Sequence, residues 1–152
     1  MPSDAPDHDQ DLTGRCYRGA VSLHLGTAPL TVTYCYCEDC RRWTGAPAPA
    51  FAAFAKGALH ISTLADTTLY QGTGVTRRTR AACGLPPMAC FEYLPEQVYV
   101  LLGLLDQAAT VAPQPHCHAA SALPRLHIDD NLPRHPQTGR LALNAAGRKT
   151  DT

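Results

Sequence analysis

Apolar and polar residues alternate with a period of two along Ala20-Val21-Ser22-Leu23-His24-Leu25 and again along Leu30-Thr31-Val32-Thr33-Tyr34. That is the pattern of strands with one buried face. Only Gly26 to Pro29 separates the two stretches, so they read as a hairpin. Further strands are predicted at Phe51 to Phe54, Leu59 to Ser62, Thr68 to Gln71 and Glu96 to Leu102, with breaks at Lys56-Gly57, Gly72-Thr73-Gly74 and Pro86-Pro87. Helix is scarce. Ala46 to Ala55 is rich in alanine, but Pro47 and Pro49 remove N–H donors and clash with the preceding turn. Leu141 to Ala146 could supply one helical turn, and Arg148 to Thr152 reads as a frayed tail. The expectation is a mainly β fold built from antiparallel sheets.

Composition narrows this further. Thirteen prolines and eleven glycines are dispersed through 152 residues, which suits short strands in one domain able to bury about two thirds of its unfolded surface. Thirteen basic residues balance thirteen acidic ones and aromatics make up only 7%, so no global field draws the chain toward nucleic acid or a membrane surface. Val98 to Leu105 falls far short of the roughly twenty apolar residues that span a bilayer. Met1 to Gly14 is polar and acidic, carries Pro2 and Pro6, and lacks the apolar segment of a signal peptide. Seven cysteines, an odd number, do not suggest a disulfide framework. A reducing, cytoplasmic setting is expected, in which clustered cysteines act as ligands or catalysts.

The cluster is Cys35-Tyr36-Cys37-Glu38-Asp39-Cys40-Arg41-Arg42-Trp43-Thr44-Gly45. Residues i and i+2 of an extended segment project from one face, and a two-residue loop after Cys37 would return Cys40 to the same point. Three thiolates so placed make a metal tripod. Structural zinc sites are closed by four protein ligands, whereas catalytic ones keep a position free, so the lack of a local fourth ligand points to an open site. A redox-active Cys-x-x-Cys pair remains the alternative for the same residues.

With these pieces placed, the chain resembles the glutathione-dependent formaldehyde-activating (Gfa) family, which also contains centromere protein V domains. The resemblance runs from about Gly14 to Pro136. It is carried by Gly14-Arg15-Cys16-Tyr17-Arg18-Gly19, by Cys35, Cys37, Cys40 and Arg41, and by Gly45-Ala46-Pro47 with Phe51-Ala52-Ala53-Phe54. Arg80-Ala81-Ala82-Cys83-Gly84, Leu105-Asp106, His116 and Asp130-Asn131-Leu132-Pro133 continue it. It implies a Gfa-like β-tent zinc-binding domain over residues 14–136, between a disordered segment 1–13 and a flexible tail 137–152. It also implies an open zinc centre at Cys35, Cys37 and Cys40 that serves as metal site and catalytic centre.

The departures from the family pattern carry equal weight. The family builds a second, closed zinc site from an early Cys-x-Cys and a later Cys-x-x-Cys. This chain keeps Cys16 and Cys83 but has Arg18 and Arg80 where the other two ligands would stand. A guanidinium stays protonated and offers donors only, so it cannot ligate zinc. The resemblance therefore implies one zinc per chain, a degraded second site at Cys16 and Cys83, and no counterpart for Cys90.

Zinc held by three thiolates is a weak Lewis acid but keeps an incoming thiol electron-rich, which suits a nucleophilic sulfur meeting a small aldehyde. The resemblance names that chemistry as glutathione combining with formaldehyde to give S-hydroxymethylglutathione, the work of a carbon-sulfur lyase or synthase. Glutathione is then a co-substrate, and Arg41 and Arg42 are candidates to hold one of its carboxylates. Arg42 has a competing role in an ion pair with Glu38 or Asp39. Trp43 could wall the open side of the metal or lie in the core. His116 and His118 flank Cys117 and read as hydrogen-bonded polar residues, and Asp106 and Asp130 as turn carboxylates. Two other classes stay open at this point: a zinc-binding module without catalysis, and a thiol redox switch.

Overall fold

A computed structural model of the chain describes residues 11–17, 19, 21–62, 67–72, 75–80, 88–91 and 96–137, with the backbone alone for the strands between 67 and 91. The expected N-terminal segment through residue 10, Arg18, Cys83, the Pro86-Pro87 break, the turn at Leu141 to Ala146 and the tail at Arg148 to Thr152 lie outside the described residues. The architecture is mainly β. Three strands, β1 (Leu12–Arg15), β2 (Ser22–Leu25) and β5 (Leu59–Ile61), form a small antiparallel sheet in the order β1-β2-β5. The larger sheet has seven strands: β3 (Thr31–Cys35), β4 (Ala50–Ala55), β6 (Thr67–Gly72), β7 (Val75–Arg80), β8 (Met88–Phe91), β9 (Gln97–Leu101) and β10 (His116–Cys117). Its order is β10-β3-β4-β9-β8-β7-β6, antiparallel throughout except for β10 beside β3. No helix among the described residues is long and apolar enough to cross a membrane.

The hairpin expected between residues 20–25 and 30–34 does not form, because β2 and β3 belong to different sheets. Burial explains the split. Strand β2 alternates strictly, with Leu23 and Leu25 buried and Ser22 and His24 exposed, so one of its faces can meet water. Strand β3 buries Thr31, Val32 and Thr33 in succession, which requires cover on both faces. The connection after Leu25 therefore crosses between layers, pinned where Gly26 N–H donates to Ala58 C=O and Leu30 N–H to Ala53 C=O.

The two faces of the central strands feed two cores. Val32, Ala52, Phe54, Val98 and Val100 point toward the small sheet and pack with Leu12, Leu23 and Leu25. Phe51, Ala53 and Tyr99 point the other way and pack with Cys40 and, at the margin, Cys35, Cys37, Trp43 and Leu101. Alternation along β3 and β4 thus sends the cysteine cluster to the outer face of the large sheet, away from the principal core.

Gly14 shows how closely the layers meet. A Cβ built there would lie 2.6 Å from the carbonyl oxygen of Leu104, with Gly14 bridged to Leu105 across the gap. Gly14→Ala is expected to lower stability by about 1–3 kcal/mol, since backbone must shift to admit the methyl group. Urea titration of the variant measures this; an unchanged midpoint would contradict the close approach.

Candidate metal centre

The cluster lies where β3 ends and a helix, α1 (Glu38–Thr44), begins. Sequence reasoning expected a loop between Cys37 and Cys40; the chain instead starts a helix there. The reason is legible in the side chains. Glu38 and Asp39 stand in the first turn and Arg41 and Arg42 in the last, each complementing the helix dipole. Gly45 ends the helix in the left-handed region at φ 75°, its N–H donating to Arg41 C=O at 2.8 Å. Cys37 is the N-cap, and its Sγ accepts the Cys40 N–H at 3.3 Å. Extended geometry supplies Cys35 and Cys37, and the first helical turn delivers Cys40.

The three sulfurs all lie within 4.8 Å of one another, with Cys35 Sγ 3.4 Å from Cys37 Sγ. Tetrahedral bonds of about 2.3 Å to zinc would set sulfurs roughly 3.8 Å apart, so the donor set fits such an ion with little rearrangement. Its electrostatics favour a cation as well. Thiol hydrogen bonds from Cys35 and Cys40 hold Cys37 on the thiolate side, aided by the Cys40 N–H and the charge of His118, while sharing that proton with Cys37 and Cys40, together with burial, pushes Cys35 up. A second thiolate at 3.4 Å would add a repulsion of about 5 kcal/mol at an effective dielectric of about 20. Three ionised sulfurs need a counter-charge between them, and a divalent ion with affinity for sulfur would supply it. These three cysteines are the cluster of possible metal ligands among the described residues.

Other predicted residues fall as follows. Arg42 Nε donates to Glu38 Oε1 at 2.7 Å on an exposed face, the ion pair weighed against a substrate role. Arg41 reaches the carbonyl of Ser121 at 3.4 Å, which ties α1 to the 3-10 turn Ala119–Ser121. Trp43 lies parallel to Phe51, 6.2 Å between centroids and 3° between planes, and packs against the same cluster as Cys35 and Cys37. Cys16 is buried in the principal core and accepts the Val21 N–H; its proposed companion Cys83 is outside the described residues. None of the five described cysteine side chains forms a disulfide.

Strand β10 brings residues that sequence reasoning undervalued. His116 pairs with Tyr34 and Cys117 with Cys35 in a parallel register. His116 is fully buried, its ring stacked on Tyr34 at 4.9 Å and on Tyr36 at 5.6 Å. Tyr36 Oη lies 2.7 Å from His116 Nδ1, and His116 Nε2 lies 2.9 and 3.0 Å from the two oxygens of Asp130. Burial raises the Tyr36 phenol, opposed by the Arg134 cation and reinforced by Asp130 and Tyr34, so it remains a donor. Burial would raise Asp130 too, but hydrogen bonds from His116 and the Leu132 N–H, with the charges of His116 and Arg134, bring it below the usual carboxylate range. The arrangement joins residues 80 positions apart, and its one sign in the sequence is that His116 and Asp130 fall within the family pattern.

A cavity of about 970 Å³ borders the turn that follows α1, lined by Arg15, Tyr17, Thr44, Leu101 and Asp106 among others. No sulfur of the tripod lines it. Metal-ligand chemistry locates the candidate centre at the sulfurs, not at this larger hollow.

The fold and site define a mainly β protein with three converging thiols at a strand-to-helix junction, able to hold a metal ion. The sequence profile of the family described as glutathione-dependent formaldehyde-activating enzyme matches residues 11–121, and the chain belongs to that family. Among solved structures it is similar to the crystal structure of a Rhodobacter sphaeroides protein, a structural-genomics target. The two share 28% identity with a TM-score of 0.52, over 62% of this chain and 87% of the other. No curated protein gives a significant match.

Proposed function

We propose that the protein is a zinc-dependent carbon-sulfur lyase or synthase that handles a glutathione-aldehyde adduct of the S-hydroxymethylglutathione type. The observation that supports this reading most is the three-sulfur cluster, which has the donors of a metal site and, among the described residues, no fourth member. Cys35, Cys37 and Cys40 would hold the ion and serve as the catalytic centre, and bound zinc would supply a cationic point that keeps an added thiol ionised. The floor of the site is apolar, formed by Phe51, Ala53 and Tyr99, which limits water near a reactive sulfur. Arg41 and Arg42 follow the tripod on α1 and are proposed to meet a substrate carboxylate, Arg42 by exchanging its exposed pairing with Glu38. A reducing, cytoplasmic compartment would keep the cysteines available.

Titration of the zinc-loaded protein with glutathione and with other thiols, followed by exchange NMR with formaldehyde, tests the proposal. Glutathione-selective binding and exchange faster than buffer are expected. No thiol dependence, or unchanged exchange after Cys37→Ser, would leave a zinc-binding module without this activity.

One zinc per chain is expected, because Arg18 and Arg80 replace two ligands of the family's second site. Elemental analysis of protein purified without added metal checks it. A ratio near two would show that the second site has been rebuilt.

A further inference from the structure

The tripod stands on three residues of local chain, and two of them flank Tyr36. In an extended segment the ring of Tyr36 must project opposite to Cys35 and Cys37. Whatever holds that ring therefore sets the pitch of the backbone from which the two sulfurs hang. The ring is held on several sides. It stacks on His116, a side chain with no solvent exposure, and its hydroxyl meets His116 Nδ1 at 2.7 Å. The opposite nitrogen of the imidazole meets both oxygens of Asp130, and Asp130 is itself fixed by the Leu132 N–H at 3.0 Å and by Arg134 at 3.1 Å.

Both ring nitrogens of the imidazole are therefore engaged, Nδ1 by the phenol and Nε2 by the carboxylate. Backbone bonds run parallel to this chain of side chains. Tyr36 N–H donates to Cys117 C=O, Tyr34 N–H to Pro115 C=O, His116 N–H to Pro133 C=O, and His135 N–H to His116 C=O. Segment 128–135 thereby grips β10, and β10 grips the ligand-bearing end of β3.

We infer that His116 is a positioning residue for the metal centre: the Tyr36–His116–Asp130 chain fixes the spacing of Cys35 and Cys37 from behind. This rests on the reading of Cys35, Cys37 and Cys40 as metal ligands. It goes beyond that reading by giving the site a buried support that none of its ligands supplies. Groups that orient ligands from a second layer typically change metal affinity 10- to 100-fold when removed.

The test loads the full chain with cobalt(II), whose sulfur-to-metal absorption bands report ligand spacing and angle. Affinity is measured by competition with a chelator. Tyr36→Phe removes one hydroxyl and keeps the stacked ring; His116→Ala removes the whole link. Both are expected to weaken cobalt binding by about 10-fold or more and to shift the absorption bands, and His116→Gln, which can present one acceptor and one donor, is expected to restore part of the affinity. If His116→Ala does not fold, Tyr36→Phe alone decides. Variants that are folded by circular dichroism, melt earlier, yet bind cobalt within about twofold of wild type with unchanged bands would overturn the inference and leave His116 with a role in stability only. Failure of the wild-type chain to bind cobalt at all would overturn the metal-site reading and this inference with it. Loss of binding in Cys37→Ser with no change in Tyr36→Phe would overturn the inference alone.

Discussion

Cys37→Ser is expected to weaken zinc binding by about 100- to 1000-fold. The estimate divides the roughly 10–16 kcal/mol of a structural zinc site among four ligands, which leaves about 2.5–4 kcal/mol for one thiolate. A serine hydroxyl cannot replace it, since it stays protonated near neutral pH and is a hard donor where the ion prefers sulfur. Cys37 is also more central than its two companions. Its Sγ receives the Cys35 thiol and the Cys40 N–H, and it caps α1. Serine is a good N-cap and keeps that last role. The helix should survive while the metal is weakly held, so circular dichroism of the metal-free variant should match wild type and the zinc-dependent rise in melting temperature should shrink. The stabilisation behind that rise is about 4 kcal/mol when free zinc is a thousandfold above the wild-type dissociation constant, and about 0.4–1.4 kcal/mol in the variant at the same zinc concentration. Undiminished zinc affinity in the variant would remove Cys37 from the ligand set.

The second large effect is structural. Phe54 is fully buried between the two sheets, paired with Val98 on β9 and packed in the core that contains Leu25 and Val100. Phe54→Ala is expected to cost about 3–5 kcal/mol, the range for deleting a buried aromatic ring. Against a total stability of about 5–15 kcal/mol that is a large share. Guanidinium unfolding would show it, and a loss under about 1 kcal/mol would mean that the sheets do not meet at this ring. Metal binding offers a second readout. Phe54 faces away from the cysteine side of β4, so the variant, while folded, should keep its zinc affinity.

The contrast between these positions shows what the sequence could and could not convey. Alternation was enough to propose strands near β2 and β3, and short runs bounded by breaks were enough near β4 and β9, which lie largely buried. The partners of those strands were not visible. Residues 20–25 and 30–34 carry similar patterns, yet one meets water and the other is covered on both faces, a difference made by the rest of the fold. The cysteines were legible for the opposite reason: all three ligand candidates lie within six positions, so spacing encodes geometry directly. Helix α1 is written in Glu38-Asp39, Arg41-Arg42 and Gly45, the charges and stop of a short helix, whereas the thiol spacing by itself is met equally well by a loop. The role of His116 was not legible, since its burial and both of its partners come from contacts that only the folded sheet creates.

The parallel pairing of β10 with β3 also bears on the order in which the centre is assembled. The three sulfurs are local, whereas the bond from Tyr36 to His116 and the bond from Arg41 to Ser121 each close a separation of 80 residues. Closing the longer loop costs about 2 kcal/mol more in chain entropy than closing one of about six residues. Contacts of that span form late in folding. The nascent chain thus presents its three thiols well before the segment that braces them exists, and an ion captured early would be held at first by a loose tripod. Tightening belongs to the final stage, when the chain returns from residue 116 onward and the seventh strand takes its place at the edge of the large sheet.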